Sequence, residues 1–297
     1  MTYYLAPAAA GILFSALLLS QTQTGQQGQP RDAAKKGFPD PWAGKKRLLF
    51  LADTRTGYQH DYISHAMATI ERLGRESGAY VTLFKTDTQL VTKQAISNGN
   101  AKTLNYFDAI FFASSGEGEM TAEQKADLLS FVHDDGKGLV AAHAANVAFR
   151  LTWPDFGVLL GGFMGSEYGI TDQEILVEDP KFPGMDAFPG RFRYKDQFPI
   201  LKEPYSRENV HVIMRLDPAK LDPSDPKTKL RPDHDFPIVY SKMYGKGRVF
   251  FSGFGHLEET WDDPRVQKMY LEAIKWAMGL TQADITPRPM PEQAAKN

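Results

Sequence analysis

The chain has 297 residues, 42% hydrophobic and 24% charged, a size and balance that bury one sizeable α/β core. Its formal net charge is -2, with Lys and Arg scattered along the sequence, so it carries no electrostatic footprint for nucleic acid. It has no cysteine, which excludes disulfides, thiolate metal sites, a Cys nucleophile and a lipid-modified Cys together.

Leu5 to Ser20 is an apolar run too short for a comfortable membrane span, and a polar, Gln-rich stretch follows it. That layout reads as a secretory signal peptide over 1–20, with an uncleaved anchor as the alternative because the first residues carry no Lys or Arg. It predicts a periplasmic or secreted protein. Residues 21–45 have no apolar period and read as a linker, 46–285 as the folded domain and 286–297 as a C-terminal tail.

Arg47 to Ala52 is a continuous apolar run of strand length. Asp61 is a candidate N-cap for a helix whose apolar spacing, through Ile63, Ala66, Met67 and Ile70, stops at Gly78. Tyr80 to Phe84 predicts a second strand, Thr88 to Ser97 a short helix, and Phe107 to Phe112 a third strand. Thr121 and Gln124 have capping-box spacing and open a helix that Gly136 closes; Gly138 to Ala142 is then a fourth, wholly apolar strand ending at His143. This alternation is the pattern of a doubly wound, mostly parallel sheet.

Beyond His143 the rhythm changes to aromatic and Gly-rich loops from Phe149 to Tyr168, a short strand over Glu174 to Val177 and a Pro-rich turn region through Pro204. Later strands follow at Val210 to Leu216, Phe236 to Tyr240 and Arg248 to Phe251, the last two joined by a hairpin turn at Gly245 to Gly247 and expected to run antiparallel. The final helix has Asp263 as cap, Pro264 in its first turn and Gly279 as its stop.

In open α/β sheets ligands bind beyond the carboxyl ends of the strands. Loops at that edge carry His60, His143 and His256, three of the seven histidines. Each also has a structural reading: His60 as a partner of the helix start, His143 as a satisfied core residue. Neutral imidazoles move protons near neutral pH, and three of them with a carboxylate suffice for a divalent ion, although no compact motif such as HExxH is present. Ser114 and Ser115 lack the G-x-S-x-G elbow of a serine hydrolase, and no phosphate-binding glycine fingerprint follows the first strand. Tyr58, Phe149, Trp153, Phe163, Tyr168, Phe254 and Trp261 cluster in the same loops, near Glu117 and Glu167. Aromatic faces beside acids suit a small-molecule carbohydrate, so Tyr58, Trp153, Trp261, Glu117 and Glu167 are candidate substrate contacts.

Several segments together resemble the trehalose-utilisation (ThuA-like) family: Arg47 to Leu51 with Gly57 to Asp61, Gly138 to Ala145, Trp153 with Leu159 to Gly162, and Gly247 to His256 with Trp261 to Pro264 and Ala273 to Ala277. The resemblance spans roughly Lys46 to Leu280. It implies a flavodoxin-like, class I glutamine amidotransferase-like fold in which the turn at His143 stands where an amidotransferase has its Cys. It also implies a link to disaccharide and keto-sugar metabolism. The chain departs from the family pattern where it has Glu167-Tyr168, Phe182-Pro183 and Asp196-Gln197. His60, His143, His256 and Asp196 are what remains of the family's site.

On this reading His143 and His256 exchange protons with a disaccharide or keto-glycoside in hydrolysis, elimination or isomerisation. His60 assists or joins them on a divalent metal, Asp196 orients an imidazole, and Trp153 or Trp261 stacks on the sugar. The competing readings are a non-catalytic sugar-binding protein and a metal-dependent sugar enzyme.

Overall fold

A computed structural model describes residues 39–96 and 101–290, and among these described residues nine strands and five α-helices make up a mixed α/β structure. The signal-peptide reading of 1–20, most of the linker, Ser97 and the end of the C-terminal tail lie outside the described residues. No helix among the described residues is long and apolar enough to cross a membrane.

The elements are β1 (Arg47–Leu51), α1 (Tyr62–Ser77), β2 (Val81–Lys85), β3 (Ala109–Phe112), α2 (Ala122–His133), β4 (Gly138–Ala142), α3 (Pro154–Leu160), β5 (Phe163–Val177), β6 (Arg191–Lys202), β7 (His211–Leu216), β8 (Pro237–Tyr244), β9 (Gly247–Ser252), α4 (Glu258–Asp262) and α5 (Pro264–Ala277). One sheet carries all nine strands in the order β2-β1-β3-β4-β9-β8-β7-β5-β6. The expected sheet, parallel first with late antiparallel strands, is present, but its antiparallel part is larger than expected. The pairings β1–β2, β1–β3, β3–β4 and β4–β9 are parallel, but β5–β6, β5–β7, β7–β8 and β8–β9 are antiparallel, so the sheet divides evenly.

β4 lies inside the parallel half and all five of its residues are buried, because helices cover both faces there. Val140 and Ala142 join the cluster that holds Ile70 of α1 and Ile274 of α5, whereas Leu139 and Ala141 join Leu128 of α2 and Leu159 of α3. A strand packed on both sides has no polar face to show, which is why it reads as an unbroken apolar run.

Caps mark several of the helix boundaries. Thr121 and Gln124 form the reciprocal capping box, and the Asp263 carboxylate accepts the Arg265 amide ahead of a helix that begins with Pro264. Gly78 ends α1 in the left-handed conformation at φ 68°, open to a residue without a Cβ. Asp61 stands at the N-cap of α1, but its side chain makes no capping bond.

Two segments fold differently from expectation. The described part of Thr88 to Ser97 consists of turns and bends rather than helix. There the Asp87 carboxylate accepts the Gln89 amide and the Thr92 hydroxyl accepts the Gln94 amide, local bonds that compete with helical ones. The loop and Pro-rich regions after Gly162 are largely the long strands β5 and β6, of 15 and 12 residues. β5 meets β7 only through Ile175 to Val177, so most of β5 and β6 is a two-stranded ribbon with two register shifts. Such a ribbon buries little along β5 and therefore shows no apolar signature.

Candidate functional site

The loops after β1, β3, β4 and β9, with the β5–β6 ribbon, supply the site. After β1, the Asp53 carboxylate accepts the Arg55 amide and the Thr56 hydroxyl. The loop is stitched to the segment after β3, where Ser114 Oγ accepts the Asp53 amide at 2.6 Å and Ser115 donates to the Tyr58 carbonyl at 2.9 Å. Both serines therefore hold backbone in place, and neither stands as a nucleophile beside a base. A Cβ on Gly116 would collide with the carbonyl of Thr56, and Gly57, at φ 76°, faces Gly116 across the same contact. Gly116→Ala is therefore expected to cost about 1–3 kcal/mol and to splay the two loops; thermal melting together with calorimetry of ligand binding would check it.

β4 delivers His143 at φ 44°, in the left-handed region that few non-glycine residues adopt, and the chain turns at once into a 3-10 turn over His143–Asn146. His143 Nδ1 faces the Gly253 carbonyl at 3.4 Å, and Nε2 lies 3.0 Å from Nδ1 of His256. A carbonyl only accepts, so Nδ1 of His143 carries the proton and its Nε2 is the acceptor for His256 Nδ1–H. A neutral His256 then keeps its Nε2 unprotonated.

His60 completes the cluster, with ring centroids 5.2 Å from His143 and 5.5 Å from His256. One nitrogen from each of the three rings lies within 4.8 Å of those of the other two, and Nδ1 of His60 is buried without a hydrogen-bond partner. Burial first, and then the neighbouring His256, push the pKa of His60 down to about 4. Burial first, and then His60 and His256, hold His143 well below the ordinary imidazole value. Both rings are consequently neutral at pH 7.

These rings form the floor of a cavity of about 660 Å³. Its walls include Thr56, Tyr58, Glu117, Met164, Glu167, Gln197 and Pro199. Tyr58 is 70% exposed and sets its ring edge-on to His60 at 4.7 Å. Glu117 accepts the Thr152 hydroxyl at 2.7 Å and the Leu151 amide at 3.3 Å. Beneath the floor Tyr62, Trp261 and Tyr270 stack in sequence, with centroids at 5.8 and 4.9 Å.

Three expected roles are corrected by this geometry. Asp196 is fully buried and orients no imidazole: its carboxylate accepts the backbone amides of Gln197, Gly255 and His256 and the hydroxyl of Thr260, fixing the loop that carries His256. Burial raises its pKa against the opposing effect of those donors. Trp261 is 1% exposed and donates its indole N–H to the Gly255 carbonyl, and Trp153 is buried against Phe149 and Phe156, so neither has a face for a ligand. Phe149, Phe163 and Phe254 are core as well, while the Tyr168 hydroxyl pairs with Thr228. Among the proposed aromatic contacts Tyr58 alone lines the cavity.

Met164, Gln197 and Pro199 enter the cavity wall from the β5–β6 ribbon. No spacing in the sequence marks them. The Gln197 position, next to Asp196, was the available signal, but it reads as a departure from a family pattern.

The fold and the floor together define a mixed α/β protein with an open pocket built over three imidazoles. The chain belongs to the trehalose-utilisation (ThuA) family, whose model matches residues 47–277. In fold it is similar to a ThuA-like protein from Bacteroides uniformis, with a TM-score of 0.62 at 20% identity, covering 81% of this chain and 95% of that one. It is also similar to a ThuA-like protein from Parabacteroides merdae, with a TM-score of 0.61 at 16% identity over 84% of this chain and 94% of that one. A β-galactosidase from Bacillus circulans sp. alkalophilus shares the fold with a TM-score of 0.50 at 7% identity, over 78% of this chain but 31% of its own. No curated protein matches the sequence.

Proposed function

We propose that the protein is an extracytoplasmic enzyme that acts on a disaccharide or keto-glycoside by hydrolysis, elimination or isomerisation. The observation that carries the reading is the meeting of His60, His143 and His256, from three separate strand ends, at the floor of a pocket sized for a sugar. Membership of the family supports a carbohydrate-related role. The order β2-β1-β3-β4-β9 in the parallel half supports a flavodoxin-like, class I glutamine amidotransferase-like arrangement, with His143 at the nucleophile turn. An imidazole that is neutral at pH 7 suits proton transfer better than covalent attack in that place.

In this reading the sugar ring lies against Tyr58, and Glu117, Glu167 and Gln197 bond its hydroxyls. His256 Nε2 accepts a proton from the substrate, and the positive charge is shared through Nδ1 with His143 and the Gly253 carbonyl. Asp196 acts as a positioning residue, since its carboxylate holds the amides of Gln197, Gly255 and His256 and the Thr260 hydroxyl. Turnover of oxidised and unoxidised disaccharides, followed by mass spectrometry of the products, is the direct test; tight binding with no product would instead make the protein a sugar-binding module. Tyr58→Ala is expected to raise KM about three- to tenfold with little change in kcat, the value of one aromatic contact, and Tyr58→Phe to leave both nearly unchanged. The extracytoplasmic location rests on the apolar run Leu5 to Ser20 and is checked by the N-terminus of protein isolated from its native cells.

A further inference from the structure

We infer that His60, His143 and His256 are the ligand set of a mononuclear divalent cation, of the kind that accepts Zn²⁺ or Co²⁺. The chemistry of the donors points there first. Three imidazoles without thiolates suit Zn²⁺ and its late first-row neighbours, and the chain has no cysteine to compete with them.

The geometry agrees. At bond lengths of about 2.1 Å, two nitrogens on one ion stand about 3–3.5 Å apart. The His143–His256 pair is already at 3.0 Å, and all three candidate nitrogens lie within 4.8 Å of one another. Bringing a His60 nitrogen to bonding distance asks for a small movement of a ring that is partly exposed and whose Nδ1 has no partner to give up.

The surroundings are those of a ligated imidazole. His143 donates Nδ1–H to the Gly253 carbonyl, the outer bond that fixes a metal-binding tautomer with the Nε2 lone pair turned into the cluster. The Tyr62 ring packs against both His60 and His143, with centroids at 5.3 and 5.6 Å, and keeps the underside of the site apolar. The opposite side opens into the cavity, which leaves coordination positions for water or substrate, as in catalytic three-ligand sites.

Loading is balanced in protons. Each neutral imidazole keeps one N–H: that of His143 stays on Nδ1, and that of His256 moves from Nδ1 to Nε2 as Nδ1 becomes a ligand. The ion-free relay described above and the loaded site are thus two alternative states of the same nitrogens. In the loaded state the ion's contribution is Lewis acidity toward a sugar carbonyl or hydroxyl oxygen. That last clause rests on the sugar reading of the pocket, whereas the coordination does not.

The test uses the full chain, expressed without a polyhistidine tag, stripped with chelator and titrated with Co²⁺ alone. The expected result is one equivalent bound with visible ligand-field bands, competition by Zn²⁺, and a higher melting temperature when Zn²⁺ is added. His60→Ala, His143→Asn and His256→Ala should each weaken binding at least about 100-fold, whereas His65→Ala, at a partly exposed histidine paired with Asp262, should not. Near-UV circular dichroism checks that each variant is folded; for one that is not, the Zn²⁺-induced melting shift of the unaltered protein decides. Failure of the unaltered chain to take up a stoichiometric ion, or binding unchanged by all three substitutions, overturns the site. A protein that binds Co²⁺ but processes no sugar keeps the site and loses the sugar reading.

Discussion

Replacement of His256 by Ala, or of His143 by Asn, is expected to lower kcat/KM on the processed sugar by about 10²–10⁴-fold, the range in which positioned acid–base groups act. Asparagine is the informative substitute at His143, because the backbone there is at φ 44° and Asn tolerates that region better than Ala. The two rings share one hydrogen bond at 3.0 Å, so they act as a unit. The double variant should therefore fall little further than either single one, and losses that multiply would show independent roles. His60 hydrogen-bonds neither ring, so in chelator-stripped protein His60→Ala should leave more activity than the other two. Steady-state kinetics on one disaccharide and its keto form, with circular dichroism as the folding control, decides the matter. Full activity in both single variants would remove the imidazole floor from the chemistry.

Asp196→Ala is the substitution expected to cost most in stability, at about 3 kcal/mol. The carboxylate accepts three amides and one hydroxyl in a place it shares with no solvent, and its removal leaves those donors buried without partners. Relief of carboxylate burial, which raises its pKa, offsets part of that loss and keeps the figure below the sum of four charged hydrogen bonds. The melting temperature should fall by about 6–12 °C, given the usual scaling for a domain of this size. Asp196→Asn keeps the shape but turns one acceptor into a donor facing N–H groups, so an intermediate fall is expected. Both variants should lose activity at temperatures where they remain folded, because Asp196 binds the His256 amide directly. A melting temperature unchanged in Asp196→Ala would contradict this account of the loop.

What the sequence determined by itself was whatever local chemistry decides. The apolar runs of β1, β3 and β4, the capping box at Thr121, the Asp263–Pro264 start of α5 and the turn at Gly245 each depend on residues a few positions apart. The strand-end positions of His60, His143 and His256 follow from those elements, and the family could be recognised from the same segments.

Tertiary structure decided the rest. Whether three histidines on three loops converge depends on strand order, and β9 reaches β4 only because the chain returns through the antiparallel half before closing the parallel one. The same folding turned Trp153 and Trp261 inward, since a large aromatic ring near a strand end serves either a ligand or the core and only its neighbours settle which. It also gave Asp196 a backbone task in place of an imidazole, a difference of a few ångströms that no spacing encodes. The β5–β6 ribbon, which brings Gln197 and Pro199 to the cavity, left no period in the sequence because its long first strand packs few of its residues into the core.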